Sequence, residues 1–195
     1  IRKHLSGVKG GRLAEICYPA RVAALVISDV PQNRLDTIAS GPLFPDASTY
    51  SDAIDIIDKF KINLKYYSSI CNILCRGKNG ELPETPDTIT KVFKRISHHI
   101  IADNRTAIQA GVQLAMDMGY NVISNEDTLD VPVEKAVGRL IELIKINQHH
   151  KKPLAIISGG EPTIKVRCPG KGGRNQHLAL LFGRKAEDLQ DYTFL

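Results

Sequence analysis

The chain has 195 residues, 43% of them apolar and 24% charged, with 15 Gly and 10 Pro. That balance excludes collagen-like, low-complexity and wholly disordered chains, and the longest apolar runs, Val22 to Ile27 and Leu154 to Ile157, fall far short of the ~20 residues that cross a bilayer. The net charge of +5 is local: six basic residues and no acid lie between Glu161 and Glu187, leaving 20 basic against 21 acidic residues elsewhere, and with 6% aromatics and no Trp the composition argues against a nucleic-acid partner.

In chain order, the first residues surround Lys9-Gly10-Gly11-Arg12 with positive charge. The segment from Ile1 lacks a methionine and the apolar stretch of a secretory signal, and it reads as the interior of a longer polypeptide. Arg21 to Ser28 is a short, β-branched run closed by Asp29 and Pro31, the pattern of a central strand buried on both faces. Val30 to Ser48, rich in Pro, Gly, Asp and Ser, predicts a long loop at that strand's carboxyl end. Ala53, Ile56, Ile57 and Phe60 fall at helical spacing, with Ser48, Thr49 or Ser51 as the cap. A second helix is predicted over Leu64 to Cys75 and broken by Arg76 to Gly80.

His98 to Ala102 predicts a strand that runs into Asp103-Asn104 and a helix ended by Gly119. Tyr120 to Ser124 predicts another strand, and Val133 to Ile144 an amphipathic helix opened by Pro132. His149 to Pro153 is polar and unpatterned, a candidate linker. Beyond it come a strand over Leu154 to Ser158, a further strand over Thr163 to Arg167, a helix starting at Asn175, and a last strand over Asp191 to Leu195. Strand and helix alternate, which predicts an α/β fold with a mostly parallel sheet, flanking helices, and ligands at the carboxyl ends of the strands.

Gly170-Lys171-Gly172-Gly173-Arg174-Asn175-Gln176 precedes the apolar helical run Leu178, Leu181, Phe182. Glycines let the backbone approach an anion, a helix start supplies unpaired N–H groups, and Lys and Arg add charge. The segment therefore reads as a phosphate site, against the plainer reading of a glycine-rich turn with an incidental arginine. Neither the Walker A nor the Gly-x-Gly-x-x-Gly signature occurs. Ser158-Gly159-Gly160-Glu161 reads either as a ligand-facing turn or as a sharp structural one. Ser28-Asp29, Asp36, Ser40-Gly41 and Asp46 put carboxylates on one loop, where Asp29 suits Mg²⁺ or a substrate hydroxyl, whereas Asp36 and Asp46 read as turn chemistry. The His and Cys residues have no zinc spacing. Four cysteines without a CxxC pair suit a reduced, cytoplasmic setting, and Cys71 and Cys75 read as half-buried small hydrophobes.

Five motifs then occur in one order: Arg2 to Ser6 with Lys9 to Ala14, Ser28-Asp29-Val30, Ile38 to Pro42, Gly159 to Thr163, and Gly172 to Gln176. Together they make the chain resemble the glycerate 2-kinase family, also known by its C-terminal MOFRL domain and sometimes labelled hydroxypyruvate reductase. The resemblance implies phosphoryl transfer from ATP to D-glycerate with Mg²⁺ or another divalent cation. It implies a Rossmann-like domain, of which residues 1–148 are part, a linker at 149–153 and the start of a MOFRL-like domain at 154–195, with the active site in the cleft between domains. Arg174 matches the arginine of the family's Gly-Gly-Arg-Asn-Gln motif and is the expected catalytic cation; Asp29, near the end of its strand, is the second expected catalytic residue, as metal ligand or hydroxyl-orienting carboxylate. Lys9, Gly10, Gly11, Arg12, Ser28, Ser40, Gly41, Asn104, Gly159, Gly160, Glu161, Lys171, Gly172, Gly173, Asn175 and Gln176 are the expected substrate and nucleotide contacts. Pro31 to Arg34 and His177 depart from the family's usual residues, and the family's catalytic lysine has no counterpart here. Two rivals stay open, a hydroxypyruvate reductase and a non-catalytic module that binds a phosphorylated metabolite, and so does self-association.

Overall fold

A computed structural model describes residues 1–63, 67–125, 129–151, 153–166, 170–189 and 192–195. The chain divides into two compact units, Ile1–Asp103 and Asn104–Leu195. Each contains one two-stranded parallel sheet with helices beside it.

In the first unit α1 spans Arg12–Cys17, β1 Val22–Ile27, α2 Tyr50–Lys59, α3 Ser68–Lys78 and β2 Ile96–Ala102. Parallel strands need a long crossover, and α2 and α3 supply it before β2 pairs with β1 from Val22↔Ile96 onward. The start of α2 is fixed by Thr49: its Oγ1 accepts from the Asp52 N–H, and the Asp52 carboxylate accepts from the Thr49 N–H at 2.7 Å. This reciprocal cap satisfies two donors that a bare helix end leaves open. Tyr50, Ala53 and Leu74 form the buried centre of the unit, with Leu5, Ile57 and Ile73 packed around them. Gly77 lets α3 close onto α2, since a Cβ there would fall on the Cγ and Cδ atoms of the Tyr50 ring.

The second unit comprises α4 (Asn104–Asp117), β3 (Asn121–Asn125), α5 (Val133–Asn147), β4 (Leu154–Ser158) and α6 (Arg174–Lys185). Here β3 and β4 pair in parallel, Asn121↔Leu154 through Asn125↔Ser158. Gly119, at φ +85°, turns the chain out of α4, and the Tyr120 N–H closes on the Ala115 carbonyl. Val133, Ala136, Val137 and Leu140 of α5 join Leu178 and Phe182 of α6, and Ala186 just beyond it, in one buried cluster. Phe194 stacks on Phe182 with centroids 4.3 Å apart.

Several elements differ from expectation. β1 is not buried on both faces: Leu25 and Ile27 are 69% and 74% exposed while Val22, Ala24 and Val26 are half-buried, so the strand alternates. The segment Arg76–Lys78, expected to break a helix, is the last turn of α3, because tertiary contact with Tyr50 favours glycine there. β2 begins two residues earlier than expected, at Ile96. Thr163 forms one bridge with Pro132 and no strand, and no strand covers residues 192–195. Arg167, Gln190 and Asp191 lie outside the described residues, as do Leu64 to Tyr66 of the second expected helix. No helix among the described residues is long and apolar enough to cross a membrane.

Candidate active site

In the second unit the carboxyl end of β4 meets two helix starts. The chain leaves β4 at Ser158 and turns through Gly159 and Gly160. A Cβ on Gly159 would overlap the side-chain amide of Asn104, the first residue of α4, and a Cβ on Gly160 would strike the Leu129 backbone N–H. That N–H donates to the Gly159 carbonyl at 3.0 Å. Only glycine permits backbone and amide to approach so closely, and Gly160 also holds φ at +121°. Glu161 follows with its N–H donated to Asp130 Oδ1 at 3.3 Å.

Arg174 opens α6 and donates from Nη2 to Glu161 Oε2 at 2.5 Å, with both side chains about half exposed. Gln176 reaches back, its Oε1 accepting the Gly173 N–H at 2.7 Å. Among the described residues the N–H groups of Arg174, Asn175 and Gln176 have no acceptor. These donors sit at the positive end of a helix of 12 residues. Lys171 and Asn175 are exposed beside them. The arrangement can grip a small anion with main-chain amides and one guanidinium.

The first unit uses its Lys-Gly-Gly-Arg segment differently. The Gly10 and Gly11 N–H groups donate to the Ser40 and Gly41 carbonyls at 3.0 and 2.7 Å, and Lys9 Nζ donates to the Ala39 carbonyl at 3.1 Å. Two separate sequence motifs are thereby brought together, but these amides are spent on internal bonds. Gly10 and Gly11 are buried with φ of +59° and +83°, and a Cβ on either would press against Thr85 and Asp46, or Phe93 and Pro86. Opposite them Ala39 and Ser40 hold left-handed φ values of 51° and 66°, a conformation that costs energy where a Cβ is present and clusters at functional loops. Arg12 donates from Nη2 to the Tyr50 hydroxyl at 3.3 Å and to the Pro83 carbonyl at 3.2 Å.

Asp46, read from sequence as turn chemistry, is the buried hub of this loop cluster. It accepts from Lys3 Nζ at 3.0 Å, from the Ser48 N–H at 3.2 Å and hydroxyl at 2.9 Å, and from Thr85 Oγ1 at 3.0 Å. Burial pushes its pKa up, yet Lys3 and Ser48 together hold it below the usual carboxylate range. His4, buried beside Tyr50 with Nε2 3.1 Å from Ser48 Oγ, has its pKa lowered by burial against the opposing pull of Asp46 and Glu84. The Asp46–Ser48 bonds are local turn chemistry, but no local signal marks the convergence of Lys3, His4 and Thr85 on them, because those bonds join segments some forty positions apart.

Asp29 is exposed at the carboxyl end of β1. Ser28 is buried, its N–H bonded to the Ala102 carbonyl and its hydroxyl accepting the Val30 N–H. At the end of β2, Asp103 accepts from Asn33 Nδ2 at 2.7 Å. Among the described residues no three or more His, Cys, Asp or Glu side chains converge to hold a metal.

A family model described as a domain of unknown function, DUF4147, matches residues 1–75, and the MOFRL family model matches residues 154–195. A D-glycerate 2-kinase of Thermotoga maritima is 39% identical over 184 residues, covering 92% of this chain and 41% of the relative. A glycerate 2-kinase of Pyrococcus horikoshii is 32% identical over 195 residues, covering 97% and 43%. The crystal structure of a Thermotoga maritima glycerate kinase superposes with a TM-score of 0.70 at 36% identity, over 97% of this chain and 44% of that one. The chain is homologous to the glycerate 2-kinases. It spans about two fifths of the length of the curated relatives it matches. Within this homologue, the two family models cover the Lys9–Arg12 and Ser40–Gly41 loops at one end and the Gly159–Glu161 turn with the α6 start at the other.

Proposed function

We propose that the polypeptide carrying this chain is an ATP-dependent glycerate 2-kinase, and that Arg174 is the cation this segment supplies to the transferring phosphoryl group. The C2 hydroxyl oxygen of D-glycerate forms a bond to the γ-phosphorus, the bond from that phosphorus to the β,γ-bridging oxygen breaks, and the hydroxyl proton leaves to a base. The products are 2-phosphoglycerate and ADP. In such transfers the protein contributes mainly position and charge. The observation that carries the reading is the start of α6, where a guanidinium and three amides without acceptors among the described residues stand together beside the β4 turn. Glycerate kinase relatives at 32–39% identity over most of the chain support the same chemistry.

Mg²⁺ is commonly held by one or two carboxylates plus substrate phosphates rather than by an all-protein cage. A single exposed carboxylate at a strand end fits that mode, so Asp29 is the residue proposed to hold it. When bound, the ion would neutralise charge on the phosphate oxygens. Asp29 is otherwise the candidate to orient the glycerate hydroxyl. Asn104, Gly159 and Gly160 line the turn, Lys171 and Asn175 add polar contacts, and Lys9, Arg12, Ser40 and Gly41 form the loop cluster assigned to substrate. Residues 1–148 are read as part of the N-terminal kinase domain and 154–195 as MOFRL-like. The MOFRL match beginning at Leu154 supports a linker at 149–153. A cytoplasmic enzyme of small-molecule substrates is the corresponding setting.

The test is Arg174→Ala in the full-length polypeptide, assayed with ATP, D-glycerate and Mg²⁺. Loss of an arginine acting on the phosphoryl group costs on the order of 10³–10⁵ in rate. A fall of only a few-fold identifies Arg174 as a loop charge and refutes the reading.

A further inference from the structure

We infer that Glu161 is a positioning residue for Arg174: it holds the guanidinium by one edge and leaves the other for the anion. This rests on the reading above, that Arg174 acts on the transferring phosphoryl group. The two carboxylate and guanidinium groups meet through Nη2 and Oε2 at 2.5 Å, and no acceptor among the described residues takes Nε or Nη1. A guanidinium is a rigid planar fork of donors, so fixing one arm fixes the plane of the others.

The pair is poorly suited to be a stabilising bond. Its side chains are 44% and 54% exposed, where screening and side-chain entropy leave an ion pair little net effect on folding. The backbone beneath Glu161, by contrast, is tied down well beyond what a surface loop requires. Its N–H is held by Asp130, the Gly159 carbonyl accepts from Leu129, Pro162 is buried, and Thr163 bonds with Val131 and Val133. A charged side chain of small energetic value on a rigid mount is what a strut for a mobile arginine needs. Arg174 itself has a fixed backbone at the first turn of α6 but a long flexible side chain, and without the strut it samples many rotamers.

A carboxylate beside the anion site also repels the ligand. Glu161 therefore differs from a residue that binds nucleotide, and its removal separates binding from turnover. In the full-length polypeptide, Glu161→Gln keeps the shape and weakens the charge-assisted bond. We expect kcat to fall by on the order of 10- to 100-fold, the effect of a catalytic group displaced by about an ångström, with KM for ATP unchanged or lower and the thermal midpoint unchanged. Guanidinium chloride added to Arg174→Ala should restore part of the activity, and much less of it in Arg174→Ala/Glu161→Gln, because the free cation would lose its dock. An unchanged kcat in Glu161→Gln, a KM rise that accounts for the whole defect, or equal rescue with and without Glu161 overturns the inference. Near-normal activity of Arg174→Ala alone would instead overturn the underlying kinase reading, so the two failures are distinct.

Discussion

Gly77 lies in the last turn of α3, where helix propensity still favours replacing it: Ala is better by at most about 1 kcal/mol, the helix-interior figure. The packing predicts the opposite. A Cβ at residue 77 lies on the Cγ, Cδ1 and Cδ2 atoms of Tyr50, a ring that is only 1% exposed and has the His4 ring 4.8 Å away. Forcing an extra carbon into a filled core costs typically ~1–3 kcal/mol. Overlap with ring carbons rather than a flexible chain end puts Gly77→Ala at or above the top of that range, so the net loss after the propensity gain is about 2 kcal/mol. For a chain of this size that is a drop of roughly 4–8 °C in the thermal midpoint. The same shift of Tyr50 would carry its hydroxyl away from Arg12 and loosen the loop that Arg12 anchors. Thermal and urea unfolding of the 195-residue chain, compared with Gly7→Ala as a control at an open position outside the helix and without a positive φ, measures the effect. A Gly77→Ala midpoint equal to or above the parent's refutes the packing argument.

Asp46→Ala removes the acceptor of four hydrogen bonds and strands the Lys3 ammonium, whose side chain is 21% exposed. Breaking a largely buried charge pair from one side costs ~3–5 kcal/mol, so this variant should be far less stable than Asp36→Ala, whose partner Arg34 is exposed; equal urea midpoints would contradict it. Acid should destabilise the fold in two stages. The pKa of His4 is lowered in the folded chain, so below about pH 6.5 the unfolded chain takes up a proton that folded His4 resists, and stability falls. Asp46 has a folded pKa below its unfolded value of about 3.9, so its contribution is complete above that value and is lost as pH falls through the folded pKa. His98 on β2, its pKa also lowered by burial, adds to the upper stage with the same sign, so a His4→Gln variant should weaken that stage and leave the lower one intact, and a unit whose urea midpoint is flat from pH 7 to pH 5 would contradict the first assignment.

Much of this architecture is legible in sequence because it depends on local chemistry. Thr49 caps α2 through a neighbour three positions on, Gly119 ends α4 by its positive φ, and Pro132 opens α5. The alternation of strand and helix yields parallel pairing, since short connections between parallel strands are sterically unavailable. The start of α6 is likewise set locally, by a glycine run before an apolar helix. What escapes the sequence is tertiary. Gly77 signals a break in isolation, and only Tyr50, twenty-seven positions away, makes it a packing residue. Asp46 resembles any turn aspartate until Lys3 and Thr85 converge on it. The Lys9–Arg12 segment looks like the α6 start, yet its glycine amides are consumed by Ser40 and Gly41, so identical residue strings carry different capacities in the two units. Nor does spacing announce that Glu161 meets Arg174 across thirteen residues.

The guanidinium at the start of α6 carries the proposed chemistry. Single-turnover phosphoryl transfer from ATP to D-glycerate, measured for the full-length polypeptide and its Arg174→Lys variant at saturating substrates, tests it most directly. An ammonium retains the charge but not the planar fork, so the account predicts a rate lower by on the order of 10² or more. A rate within a few-fold of the parent's would contradict it.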